Sequence, residues 1–167
     1  MRHFTELDYG LPGRVYRSAM PFNEYSDPHG NCFELARWYG VSVVVVFSPP
    51  EECHYAAGGR DLRALYREEG WDVIDLATPD GGVPELPAFL AARDATLAHL
   101  RAGRHVLVHC FAGCGRTGLM LAALARWCFG LDGAAACAWV RERVPCAVEN
   151  QWQEGFVGLD DLAGPTC

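Results

Sequence analysis

The chain has 167 residues, with 14 basic and 21 acidic side chains and a net charge of −7. Every Lys/Arg-type residue is arginine, and the absence of lysine excludes a Walker-type nucleotide loop and Schiff-base or pyridoxal phosphate chemistry. The acidic balance argues against nucleic acid as a partner, no apolar run approaches the roughly 20 residues of a membrane span, and the composition suits one globular domain, 1–167.

In chain order, Val15-Tyr16-Arg17 reads as a short strand. Residues 29–39 carry apolar side chains at helical spacing and close at Gly40. Residues 41–47 are β-branched and almost wholly apolar, the pattern of a buried central strand that Pro49-Pro50 ends. Residues 55–69 read as one helix, 71–76 as a strand, and 78–84 as a turn-rich segment. Helical spacing returns over 85–102, a third apolar strand follows over 105–109, and 118–129 is apolar nearly all round, as a helix buried on most sides would be. Helical stretches at 133–143 and 150–162 finish the chain. Strands alternating with helices predict an α/β domain, its sheet mainly parallel with helices on both faces.

Between the third strand and the buried helix lies His109-Cys110-Phe111-Ala112-Gly113-Cys114-Gly115-Arg116-Thr117-Gly118. Open α/β sheets bind ligands at this kind of strand-to-helix junction. Glycines 113 and 115 permit a tight loop that turns the backbone N–H groups of residues 111–116 inward, and the following helix adds its positive end. Arg116 supplies a planar fork for two oxygens of one phosphate. The field that holds an oxyanion also stabilises a thiolate at Cys110. Thr117 has a hydroxyl to offer the sulfur or the departing group, and His109 is expected to hold the loop rather than act as a base.

The spacing resembles the H-C-x-x-G-x-x-R-[ST]-G signature of cysteine-based protein tyrosine phosphatases, and the short chain resembles their compact dual-specificity branch. Val15–Pro21 and Val43–Glu52 are similar to further segments of that branch. The resemblance implies a general acid on a mobile loop about thirty residues before the cysteine, and Asp80 in Pro79-Asp80-Gly81-Gly82-Val83-Pro84 fits it. Asp75 is the rival, better suited to supporting the loop. The resemblance also implies a late glutamine that positions the hydrolytic water. Gln153 occupies that place, although Glu149-Asn150 replaces the usual Gln-Thr, and an ordinary C-terminal helix explains the segment almost as well.

The implied reaction removes phosphate from phosphotyrosine in proteins, with phosphoserine and phosphothreonine as further substrates, through a phosphocysteine and without metal or cofactor. Inositol phosphates or phosphoinositides are an alternative, weakened by the lack of basic side chains at 111, 112 and 114. A rhodanese-like sulfurtransferase and a phosphate-binding adaptor are alternatives of other classes. Eight cysteines without C-x-x-C spacing do not suggest zinc. The stretch Met1–Glu6 lacks the apolar core of a secretory signal, so reduced thiols, a cytoplasmic location and a monomer are expected. Cys114 is read either as a side chain turned away from the ligand or as the partner that captures an oxidised Cys110 in a disulfide.

Overall fold

A computed structural model describes residues 3–165. Met1 and Arg2, part of the stretch read against a secretory signal, and Cys167 lie outside the described residues. Five strands are present: β1 (Phe4–Leu7), β2 (Val15–Ser18), β3 (Val41–Val46), β4 (Asp72–Asp75) and β5 (His105–His109). They form one sheet in the order β1-β2-β5-β3-β4, parallel throughout except for the antiparallel β1–β2 edge pair. Strand β1 has no counterpart among the elements expected from the sequence, because four residues with only the last fully buried give almost no alternation to read.

The valine-rich β3 lies next to β5 at the middle of the sheet, and side chains alternate between two buried faces as the pleat requires. Val15, Val43, Val45, Val106 and Val108 point into one core. That core is filled by helices α4 (Leu86–Arg101), α5 (Gly115–Phe129), α6 (Gly133–Arg143) and α7 (Gln151–Val157). Tyr16, Val44, Val46 and Leu107 point into the other, against α1 (Asn31–Trp38), α2 (Pro50–Ala56) and α3 (Leu62–Glu68). Helices on both faces of a mainly parallel sheet match the architecture read from the sequence.

The departures have local causes. The single helix expected over 55–69 is two helices, α2 and α3, because Gly58 and Gly59 take left-handed φ of 61° and 79°. Asp61 then caps α3 by accepting from Ala64 N–H at 3.0 Å, and Pro50 opens α2 at its first turn, where its missing N–H costs nothing. Helix α5 begins at Gly115, three residues before the apolar stretch suggested. The C-terminal stretch divides into α7 and a 3-10 turn, Asp160–Leu162.

Candidate active site

Parallel strands send their carboxyl ends to one edge of a sheet, and here four do so side by side. Ser18 of β2 and Val46 of β3 both pair with His109 of β5, and Val46 pairs with Asp75 of β4. The loops that follow, beginning at residues 19, 47, 76 and 110, therefore meet at that edge.

The loop after β5 is pinned on every side. Phe47 N–H donates to His109 O at 3.1 Å, and Met20 N–H to Phe111 O at 3.0 Å. Gly113 has φ +73°, and a Cβ there would lie 2.2 Å from Ser18 O; one on Gly115 would lie 2.2 Å from the Glu149 carboxylate. At 113 the clash is with backbone and only glycine fits, whereas at 115 the Glu149 side chain would have to move aside. Cys110 is buried at the loop's start, and α5 opens beneath the loop's end with no side chain capping its first N–H groups.

Arg116 is 1% exposed, and its guanidinium is held by protein on one side. Glu52 accepts from Nη1 and Nη2 at 3.0 and 2.8 Å, Thr78 O accepts from Nη1 at 2.9 Å, and Asp80 Oδ1 lies 3.0 Å from Nη2. Burial opposes the arginine's charge, but Glu52, with Cys110 and Asp80, outweighs it and raises its affinity for the proton. The remaining donor, Nε, is buried without a partner, as is Thr117 Oγ1. An unmade buried hydrogen bond costs about 1–3 kcal/mol, so two such groups beside one anion-shaped loop mark a ligand position. Glu52 escaped sequence reasoning. Its one sequence signal is an acid directly after a buried central strand and its prolines, and Ser48 Oγ fixes it by donating at 2.8 Å.

His109 is fully buried between Tyr66 and its own chain. A carbonyl only accepts, so Nδ1–H donates to Cys110 O at 3.3 Å, and Nε2 accepts from the Tyr66 hydroxyl at 2.9 Å. Burial pushes its pKa down from 6.5 to about 4. At neutral pH the ring is therefore uncharged and held by these two bonds.

Asp80 stands on an exposed turn, with Gly81 at φ +70°. That turn is tied to α7 by Asn150, whose Nδ2 donates to Gly81 O at 2.9 Å, and by Gln153, whose Nε2 donates to Gly82 O at 3.3 Å. The Gln153 Oε1 accepts from Glu149 N–H at 2.9 Å, and the side chain is wholly buried. Both ends of the amide are engaged with backbone, and these hydrogen bonds tie α7 to the Asp80 turn. Asp75 is removed as the rival acid. Arg63 donates to both its oxygens at 2.6 and 2.7 Å, holding its carboxyl below the usual carboxylate range, and the same arginine donates to Ser48 O at 2.8 Å. Asp75 thus supports the segment that carries Glu52.

The reading of Cys114 needs correction. It forms a disulfide with Cys146, 32 residues away, so it is not the partner of Cys110. The expectation of reduced thiols throughout fails with it. The buried thiols of Cys32, Cys53 and Cys137 do suit small core residues, and burial pushes the pKa of each upward. Among the described residues, no cluster of His, Cys, Asp and Glu is placed to hold a metal ion, and no single helix is long and apolar enough to cross a membrane.

Beside the loop, exposed Tyr25 has its ring 6.3 Å from that of Phe111. Asn23 fixes this corner: its Oδ1 accepts from Tyr25 N–H at 2.9 Å, and its Nδ2 donates to Phe111 O at 3.4 Å. Phe111, Ala112 and Cys114 contribute backbone, not charge, to the anion loop.

Comparison with known proteins finds similar sequences and folds. A family model described as polymorphic toxin system, DSP-PTPase phosphatase, matches residues 23–128, more than half of the chain. The tyrosine-protein phosphatase cdc-14 of Caenorhabditis elegans is 27% identical over 153 residues, covering 86% of this chain and 20% of the relative. An uncharacterised protein of Methanocaldococcus jannaschii is 40% identical over 80 residues, 47% of this chain and 52% of that one. The chain therefore spans a fifth to about half the length of these relatives. Among solved structures, a kinase-associated phosphatase with its catalytic cysteine replaced by serine superposes with a TM-score of 0.81 at 20% identity, covering 93% of this chain and 91% of that one. Tk-PTP in its active form gives 0.72 at 27% identity, covering 92% and 93%.

Proposed function

We propose, from the premise that the chain belongs to the DSP-PTPase phosphatase family of polymorphic toxin systems, that this cysteine-dependent phosphatase hydrolyses phosphotyrosine in proteins through a phosphocysteine. The observation that carries the reading is the pair of unpartnered buried donors, Arg116 Nε and Thr117 Oγ1, at the loop that opens on Cys110. A phosphoryl group over Cys110 satisfies Nε. The inward backbone N–H groups of residues 111–116 take its other equatorial oxygens.

In the first step Cys110 Sγ attacks phosphorus in line, the bond to the leaving oxygen breaks, and Asp80 gives that oxygen its proton. Thr117 donates a hydrogen bond to the sulfur, which steadies it as nucleophile and later as leaving group. In the second step Asp80, now a carboxylate, takes a proton from water as the water oxygen attacks phosphorus, and phosphate leaves Cys110 as a thiolate. Glu52 holds Arg116 by Nη1 and Nη2, so the Nε edge stays aimed at the phosphate. Support for an aryl substrate comes from the Tyr25–Phe111 corner, which gives a phenyl ring apolar surface to rest on, and from the lack of cations at 111, 112 and 114.

The test is a set of metal-free initial rates on phosphotyrosine, phosphoserine and phosphothreonine peptides and on inositol phosphates, with Cys110→Ser as control. Phosphotyrosine peptides should give the highest kcat/KM, and the serine variant should show no turnover. Substantial metal-free activity in Cys110→Ser would overturn the mechanism, and a preference for inositol phosphates would overturn the substrate class.

A further inference from the structure

The Cys114–Cys146 disulfide joins the phosphate loop to the very segment that steadies the acid turn. Cys114 is the fifth residue of the loop that begins at Cys110 and is the N-cap of α5. Cys146 lies in the connection between α6 and α7. Four residues further on, Asn150 caps α7 by accepting from Gln153 N–H at 3.0 Å and holds Gly81 O, while Gln153 holds Gly82 O. Between them, Val148 adopts φ +54°, an uncommon conformation for a β-branched residue, and the Glu149 side chain lies against Gly115. One short stretch, residues 146–150, therefore touches both halves of the site, and the disulfide is its only covalent tie to the phosphate loop among the described residues.

The bridge is also open to solution. Cys146 is exposed and Cys114 half-buried, and shallow grooves of about 410 and 420 Å³ run along either side of the pair. Cys32, Cys53 and Cys137 are buried, and Cys128 is half-buried with its thiol pKa pushed up by burial. Among the described residues, Cys146 is the one cysteine classed as exposed, so the bridge is open to a soluble thiol reagent.

We propose that Cys114–Cys146 is a redox-operated clamp on the phosphatase site: closed as the disulfide, it holds the phosphate loop and the Asp80 turn in register, and opened by a dithiol it slows turnover. The proposal rests on the phosphatase reading above. In opening, a dithiolate sulfur attacks one sulfur of the bridge and the S–S bond breaks. The mixed disulfide is then resolved by the reagent's second thiol, so two electrons and two protons pass from the dithiol, which leaves as its own disulfide. The two cysteines remain as thiols. Neither sulfur touches the reacting phosphorus, so the effect falls on positioning, where small displacements cost rate.

The experiment uses the full chain with Cys110 shown free by alkylation and mass spectrometry. Protein is poised in a series of reduced and oxidised dithiothreitol, and kcat and KM for an aryl phosphate are measured without metal. The Cys114–Cys146 linked peptide is quantified in the same samples. Expected are a linked peptide and full turnover in the unreduced protein, then a kcat lower by roughly 10- to 100-fold with KM within about twofold, at the same midpoint as loss of the linked peptide. Cys146→Ser should be slow at every poise, and re-oxidation should restore only the native chain. A kcat that is unchanged or rises as the bridge opens overturns the clamp. So does absence of the linked peptide from unreduced protein, or circular dichroism showing that reduction simply unfolds the chain. No turnover by unreduced protein, or undiminished turnover by Cys110→Ser, overturns the phosphatase reading instead, and is recognised before any reductant is added.

Discussion

The two loops that make the site are built in opposite ways. The phosphate loop is largely packed, threaded between β2, β3 and the 146–150 segment, with a glycine at 113 where no side chain fits and a buried arginine fixed by the half-buried Glu52 carboxylate. The turn carrying Asp80 is exposed beyond the anchored Thr78, and from Pro79 on it is tied by single hydrogen bonds to Gly81 O and Gly82 O and by the Arg116–Asp80 pair. The difference follows from what each must do. An oxyanion cradle works by being organised before charge develops, so its rigidity is useful throughout the reaction. A general acid must admit substrate, approach the leaving oxygen and withdraw, and a fully packed loop could not move on that timescale. Substitutions in the first region should cost stability and rate together, and substitutions in the second should cost rate alone.

Glu52→Ala tests the first half of that contrast. It leaves the buried Arg116 charge without its half-buried carboxylate partner, and a buried donor left unsatisfied costs about 1–3 kcal/mol. Urea unfolding should show a loss of that size, and kcat should fall with it because Nε is no longer aimed. A variant with native stability would mean that Thr78 O and Asp80 hold Arg116 unaided. Asp80→Asn tests the second half. Its kcat should fall by roughly 10²–10⁴, more for alkyl phosphates with poor leaving groups than for activated aryl phosphates, and its melting temperature should match the native protein. A clear loss of stability there would erase the distinction between the two loops.

The same contrast explains what could be read from the chain. The phosphate loop is one contiguous stretch, so Cys110, Arg116 and the glycines are visible in order, and the valines of 41–46 announce the strand beside it. Glu52 is 64 residues from Arg116, and no local pattern links a carboxylate at the start of α2 to a guanidinium at the start of α5. Cys146 is equally silent, since neither cysteine of the bridge shows a paired spacing and only the packing of the α6–α7 connection against the loop brings them together. Gln153 is legible as a position, but its role depends on where Gly82 and Glu149 lie in space. The groups proposed to do chemistry are contiguous or motif-bound in sequence, while the groups that hold them come from distant parts of the chain.

His109 offers a smaller, pH-dependent test of the rigid region. Its folded pKa, about 4, lies below the ordinary 6.5. Between those values the unfolded chain binds a proton that the folded chain refuses, so stability rises with pH and is lost as pH falls through that window. A tenfold difference in proton affinity between the two states corresponds to about 1.4 kcal/mol. Lowering the pH from 7.5 to 5 should therefore cost roughly 2 kcal/mol in urea unfolding, and His109→Asn should remove most of that slope. Asp75, whose carboxyl is held low by Arg63, acts in a separate and more acidic window, below its ordinary 3.8.

Asn150→Ala gives the smallest effect and the finest discrimination, because one side chain serves both regions. Its Oδ1 caps α7, and loss of such a cap costs about 0.5–2 kcal/mol. Its Nδ2 is one of two donors that tie down the acid turn. If the turn must be held to be effective, kcat should fall several-fold with KM little changed, and the loss should be concentrated in substrates that need the acid. Asn150→Asp separates the two duties: the carboxylate keeps the cap and loses the donor to Gly81 O. It should therefore retain native stability while showing the same leaving-group-dependent loss of rate as the alanine variant. Equal rates in Asn150→Asp and the native chain would mean that Gln153 alone positions the turn.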